Sequence, residues 1–283
     1  AAAVAIGTCF ALGPALCVSP VGAAQAVFGL SIQYAAEDAA ATTTFFRGQV
    51  VERVGPLFYA TAVWSRSTPL VLLGAALALM GAILPKRFAP SQGHRAIALA
   101  FAGYALLYLT LIGLGLKKFD RYALPALLAL DVLAALGWGW AAEEIFAPLR
   151  RGAVWGRLVT FLALTAQSAL CLGPLYPAHY LAYYNPLAGG LPQAIQTLPV
   201  GWGEGIEQAA AALASRPDAS STTVATWSVT GLAAFYPGSI VPLAPEALPQ
   251  ADLVLLYIAD VQTPSDEVRH FWGQKEPLWV GSV

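Results

Sequence analysis

Lys117, Lys118, Asp120 and Arg121 place four charged side chains within five positions. Lysine offers a mobile point charge and arginine a planar fork of donors, and both suit phosphate oxygens. The cluster could therefore grip a phosphate or pyrophosphate. Asp120 would hold Arg121 in position, and Tyr122 and Pro125 would shape the surface that follows. The competing reading is snorkelling of basic side chains from a helix end into the headgroups. A second polar surface, Phe45-Phe46-Arg47-Gly48-Gln49 preceded by Glu37-Asp38, offers Arg47 as a further cation. Asp131 would lie about 15 Å beyond Arg121 along a helix. An ionisable residue at that depth faces protein or water, and a structural role in the bundle is the expectation. Gly201-Trp202-Gly203-Glu204-Gly205 could form a binding turn, but its spacing is not a dinucleotide fingerprint. Tyr176, His179, Tyr180, Tyr183 and Tyr184 read either as sugar-stacking groups or as an interfacial aromatic belt.

The elements that must position these residues are mostly apolar. The chain has 283 residues, 58% hydrophobic and 11% charged, where soluble domains carry about 25% charged residues. A multi-pass membrane protein follows. A net charge of -1 points to no nucleic-acid partner. Cys9, Cys17 and Cys171 lack metal-ligand spacing and read as small buried hydrophobes. No cofactor is implied, and a divalent metal is left open. The apolar run at 1–18 has no initiator Met or basic leader, so the chain reads as a fragment beginning inside a membrane helix.

Residues 21–36 suit a helix lying in the interface, the alternative being a short second span that would reverse everything after it, and 37–56 suit a polar loop. Further spans are expected at 57–84, 96–116, 122–142 and 158–175. From 176 onward Pro, Gly and charged residues return. Strands are expected at 222–227, 253–258 and 278–283, and helices at 204–215, 229–236 and 264–272. The expected fold class is an α-helical polytopic membrane protein of about five transmembrane helices plus an interfacial helix. A small C-terminal extracytoplasmic α/β domain completes it. The boundary falls between a membrane region at 1–175 and the α/β domain at 176–283.

Five spans would put the 85–95 and 150–157 loops on one side and the 37–66 and 117–121 loops on the other. Each side then carries six Lys or Arg residues, so the positive-inside bias does not orient the chain. The C-terminal segment holds nine acidic residues against three basic ones, which favours the outside. Basic residues in the 37–66 and 117–121 loops would then oppose the usual bias. Binding an anion is the natural reason.

Lys118-Phe119-Asp120-Arg121-Tyr122-Ala123-Leu124-Pro125 resembles the charged-Arg-Tyr-x-x-Pro signature of polytopic glycosyltransferases that use polyprenyl-phosphate sugars. These are C-superfamily enzymes of the family 39 type, related to protein O-mannosyltransferases and lipid A aminoarabinose transferases. Phe45-Phe46-Arg47-Gly48-Gln49, Gly55-Pro56-Leu57-Phe58-Tyr59 and Ser67-Thr68-Pro69-Leu70 resemble bacterial members. So do Tyr183-Tyr184-Asn185-Pro186-Leu187-Ala188-Gly189-Gly190 and Gly201-Trp202-Gly203-Glu204-Gly205. Together these stretches span nearly the whole chain in the expected order.

The resemblance implies a cell-envelope enzyme with its site on the extracytoplasmic face. It would transfer a sugar from a polyprenyl-phosphate donor to an acceptor hydroxyl on a lipid, glycan or protein. Lys117, Lys118, Arg121 and, more distantly, Arg47 would bind the lipid phosphate, with Asp120 and Tyr122 positioning them. The resemblance also implies that the catalytic carboxylate lies before residue 1, so no catalytic residue is assigned. Alternatives are a transporter or flippase for a lipid-linked sugar and a non-catalytic membrane subunit.

Overall fold

The computed structural model describes residues 18–23, 25–26, 28–30, 43–84, 92–115, 118–146, 152–175, 179–266, 268–269 and 280–281. Contacts divide the chain into two compact units, Ala1–Thr43 and Thr44–Val283. In the first unit, residues 20–23, 25–26 and 28–30 are helical. The expected span at 1–18 (apart from Val18), Glu37, Asp38 and Lys117 lie outside the described residues.

The second unit opens on a hairpin of β1 (Thr44–Phe46) and β2 (Gln49–Val51), paired antiparallel with Phe46 opposite Gln49. The expectation here was a polar loop. Arg47 at φ 52° and Gly48 at φ 79° form the turn, since a two-residue hairpin turn of matching twist needs left-handed backbone at both positions.

Helices α1 (Leu57–Arg66) and α2 (Pro69–Ile83) follow at 116° to one another. The expected span over 57–84 is thus divided into two helices. The break is chemical. Pro69 lacks an N–H and holds Thr68 in extended backbone. The Thr68 hydroxyl accepts the Val71 N–H at 3.3 Å, which caps a new helix instead of continuing the old one.

Helices α3 (Gln92–Leu114), α4 (Leu124–Phe146) and α5 (Gly152–Leu172) are the long apolar ones. Three described segments are long and apolar enough to cross a membrane: Gln92–Leu114, Asp120–Glu144 and Val154–Leu175. A fourth follows if the bent α1–α2 pair counts as one span.

Small residues let α2 and α4 approach closely. A Cβ on Gly137 would meet the Gly74 carbonyl oxygen at 1.9 Å. Trp138 Nε1 donates to the Leu70 carbonyl at 2.9 Å. From α5, Gln167 accepts from the Leu70 N–H and donates to the Thr68 hydroxyl, both at 2.9 Å. Asp131 is exposed on α4, so among the described residues it does not tie the bundle together as expected.

The remaining chain is α6 (Gly190–Thr197), α7 (Ile206–Ala214), β3 (Thr223–Thr226), α8 (Val229–Ala233), β4 (Ser239–Pro242), β5 (Leu253–Leu255) and α9 (Ile258–Gln262). The three strands form a parallel sheet in the order β4-β3-β5. Ile206, Ala210, Val224, Leu232 and Tyr236 fill its core.

The expected boundary at 175/176 does not separate two bodies. Phe58, Tyr59 and Ala62 of α1 share one core with Ala123, Tyr184, Ala194, Leu198 and Val200. The chain leaves β3 through α8 to β4 on one side and returns past it to β5 on the other. The crevice at the carboxyl ends is where parallel sheets of this kind take ligands.

Candidate functional site

The site is assembled around Arg66, the last residue of α1. Its Nε donates to Asp120 Oδ2 at 2.6 Å, and its terminal nitrogens reach Asp120 Oδ2 at 2.6 Å, the Leu181 carbonyl at 2.6 Å and the Tyr183 carbonyl at 3.0 Å. The guanidinium also lies 3.9 Å from the centre of the Tyr184 ring. Asp120 is 2% exposed. Its other oxygen accepts the Arg121 N–H at 2.8 Å. Asp120 thus contacts Arg121 through the backbone N–H, while its charge is spent on Arg66.

Asn185 locks the same junction from the other side. Fully buried, it donates to the Trp64 carbonyl at 3.0 Å and accepts the Leu187 N–H at 3.0 Å, while its own N–H donates to the Ser65 carbonyl at 2.7 Å. Residues 181–187 are therefore clamped onto the end of α1. This gives the Tyr-Tyr-Asn-Pro stretch a positioning role.

Lys118 is 1% exposed. Its ammonium donates to the Ile112 carbonyl at 3.2 Å and the Gly113 carbonyl at 2.5 Å. It satisfies the end of α3, where helix carbonyls lack intrahelical partners. Burial lowers its pKa. This placement differs from the expectation of a lipid-phosphate ligand, because the charge points into the protein.

Arg121 is exposed. Its guanidinium carbon lies 4.2 Å from the Phe119 ring centre, 5.5 Å from that of Tyr122 and 4.1 Å from that of Trp202. Among the described residues no carboxylate pairs with it. Stacking holds the plane of the guanidinium and leaves its N–H edge for an anion. Tyr122 packs edge-on against Phe119 at 5.6 Å and accepts from the Tyr108 hydroxyl through its carbonyl.

Arg47 is placed elsewhere. Its N–H donates to the Thr197 carbonyl at 3.1 Å, and its guanidinium lies 5.2 Å from the Phe46 ring centre. It borders an open cleft of about 640 Å³ lined by Phe45, Gln193, Thr197, Ile258 and Gln262. Among the described residues Arg47 is the only charged one lining that cleft, and Arg121 does not line it.

The structure brings the Gly201-Trp202-Gly203-Glu204-Gly205 loop to Arg121. Gly201, Gly203 and Gly205 have φ of 100°, 100° and 84°, where glycine is favoured. The loop's pitch is also fixed by Glu204, whose Oε2 accepts the Trp202 N–H at 2.6 Å and the Tyr257 hydroxyl at 2.9 Å. Tyr257 follows β5, and its oxygen accepts the Gly203 N–H at 3.0 Å. Burial pushes the Tyr257 hydroxyl up to about 12, so it stays a donor.

Comparison of the chain with protein-family models, with curated proteins and with solved structures finds no match in any of the three. The site is therefore read from its geometry. One stacked, exposed arginine at the end of two membrane-length helices faces a glycine-rich loop at the edge of a parallel sheet. Among the described residues no group of three or more His, Cys, Asp and Glu is arranged to hold a metal ion. Sequence reasoning missed Arg66 and Tyr257 as partners of the site. Arg66 carried a weak signal: it is a cation directly before the Ser67-Thr68-Pro69 break.

Proposed function

We propose that this protein is a membrane glycosyltransferase that binds a polyprenyl-phosphate sugar, with Arg121 contacting the donor phosphate on the extracytoplasmic face. The observation that carries the reading is the setting of Arg121. It is exposed, stacked between Phe119 and Trp202, and carries a charge that no described carboxylate neutralises. It lies at the start of the Asp120–Glu144 segment, where a lipid tail would enter the bilayer and its phosphate would remain at the surface.

The chemistry follows from that placement. In sugar transfer the acceptor hydroxyl attacks the anomeric carbon, the bond to the phosphate oxygen breaks, and negative charge grows on the phosphate. A fixed cation stabilises that charge more as the bond lengthens, which lowers the barrier. Lys118 supports this only indirectly, by finishing α3 and fixing the turn that presents Arg121. The proton of the acceptor must pass to a base, which the described residues do not identify.

Arg121→Ala should reduce transfer from a polyprenyl-phosphate sugar by about 10²-fold, the usual effect of removing one transition-state donor. Arg121→Lys should restore part of it, because the charge returns without the planar stack. The assay is release of labelled sugar from the lipid by membranes containing the full protein. Wild-type turnover in Arg121→Ala would reject the reading.

A further inference from the structure

Arg47 stands where a side chain is disfavoured. Its φ of 52° is the single left-handed value at a residue other than glycine among the described residues. A hairpin turn of this twist is best made by Asn-Gly or Gly-Gly, and here it is Arg47-Gly48. The turn needs from Arg47 only its N–H, which donates to the Thr197 carbonyl at 3.1 Å. Any residue but proline supplies that. The guanidinium is exposed, lies 5.2 Å from the Phe46 ring centre and has no ion pair or hydrogen bond among the described residues. Strain at a residue whose side chain is uncommitted points to a function for that side chain.

The guanidinium borders the cleft of about 640 Å³, a volume that holds a small organic molecule. The cleft is formed without a ligand. Gln262 is 6% exposed and spends its whole amide on the walls. Its Oε1 accepts the Val200 N–H at 3.0 Å, and its Nε2 donates to the Ile195 and Leu198 carbonyls at 2.6 and 2.8 Å. This ties α9 to the end of α6, and the Arg47 N–H ties the hairpin to the same end. Three elements are fixed around one space, so binding has little ordering to do.

The lining selects the ligand. Phe45, Ile195, Ile258 and Val261 present buried or half-buried apolar surface. Gln193 and Gln196 are exposed, and their amides have no partner among the described residues. Among those residues no carboxylate lines the cleft, so a cationic ligand would meet only like charge. A single guanidinium pairs a single carboxylate through two parallel hydrogen bonds. A phosphate monoester carries about 1.5 to 2 charges at neutral pH and would be left partly unbalanced. The hairpin, α6 and α9 all lie outside the membrane-length segments, so the ligand arrives from water.

We propose that the cleft binds a small water-soluble carboxylate, with its charged end on Arg47 and its apolar body against Ile258 and Val261. Arg121 does not line the cleft, and binding here requires nothing of the lipid donor.

The test uses the full-length protein in detergent micelles and fluorine NMR. The probes are 4-(trifluoromethyl)benzoate and its neutral isostere 4-(trifluoromethyl)benzamide. Wild type should bind the benzoate with a Kd of about 1 mM, the strength expected of so small a ligand, and about tenfold more tightly than the benzamide. Arg47→Asn should weaken benzoate binding about tenfold and leave the benzamide unchanged. It should also raise the unfolding midpoint by about 2 °C, because asparagine accepts left-handed backbone more readily. Gln196→Trp fills the cleft from an exposed position and should weaken both probes about tenfold. Partition of the probes into micelles is common to all three proteins and cancels.

Equal benzoate affinity in wild type and Arg47→Asn overturns the inference, as does binding that Gln196→Trp leaves intact. A wild type that binds neither probe, or both equally, overturns it too. A lowered midpoint or loss of folding in Arg47→Asn would show that the arginine is kept for the turn, and the inference would fall with it.

Discussion

At the scale of single residues, Asp120 sets the geometry. One oxygen neutralises Arg66 and the other holds the backbone of Arg121. Breaking a buried pair leaves a charge without compensation, which costs about 3–5 kcal/mol, whereas removing both charges costs far less. Asp120→Leu should therefore lose stability at the upper end of what single substitutions do. Asp120→Leu combined with Arg66→Met should recover more than half of the loss. Thermal unfolding in detergent measures both, and a double variant no better than Asp120→Leu would contradict the pairing. The sequence marked the 117–121 cluster as a site but could not rank its cations. Lys118 and Arg121 are three positions apart and compositionally alike, yet one is 1% exposed and spent on helix carbonyls while the other faces outward. Arg66 was illegible for a different reason. Its carboxylate partner is 54 positions away and its carbonyl partners more than a hundred, and no local pattern encodes such pairing.

At the scale of elements, the crossing of α2 and α4 depends on the absence of side chains. A Cβ on Gly137 would fall 1.9 Å from the Gly74 carbonyl oxygen and 2.7 Å from the Ala78 nitrogen, both backbone atoms that cannot swing aside. Gly139, two residues on, has nothing within 4 Å of that position. Gly137→Ala should therefore destabilise by about 1–3 kcal/mol, the range for forcing atoms into a packed contact. Gly139→Ala should be neutral or stabilising by up to about 1 kcal/mol, since alanine restricts the unfolded chain. Comparing their unfolding midpoints separates packing from helix propensity, and equal shifts would refute the close crossing. The long apolar helices α3, α4 and α5 were legible, as were α7 and α8 and the short β-branched runs of β3 and β5, all lying where apolar runs and breakers placed them. The hairpin, α6, β4 and α9 were not. Each is eight residues or shorter and is held by tertiary contacts: Arg47 bonds to Thr197, Ser239 to Pro242 pair along Thr223 to Thr226, and Gln262 donates to the Ile195 and Leu198 carbonyls. The break at Thr68-Pro69 carried a readable cap signature, and the apolar weight of the 57–84 window obscured it.

At the scale of the whole molecule, the ends of the long helices sort into two sets. Arg66 joins the start of the Asp120–Glu144 segment to Leu181 and Tyr183, just beyond α5. The Arg157–Glu143 pair, at 3.6 Å, ties the opposite ends of α4 and α5. Arg121, Trp202 and the sheet thus belong to one face of the bundle, and Glu143, Glu144 and Arg157 to the other. Six basic residues in the loops expected on each side leave the charge bias undecided, so the compartment must be measured. The acidic 176–283 segment and the phosphate role proposed for Arg121 both favour placing the first face outside the cell. With Cys9, Cys17 and Cys171 replaced by alanine, Ser220→Cys lies on the sheet side and Glu144→Cys on the other, and both positions are exposed. A membrane-impermeant maleimide should label Ser220→Cys in intact cells and Glu144→Cys only after permeabilisation. The reverse pattern would put Arg121 in the cytoplasm, where the proposed extracytoplasmic transfer could not occur. Labelling of both sites from one side would show that α4 does not cross the membrane. The donor phosphate would then have no bilayer surface at Arg121, and the proposed function would fail along with its orientation.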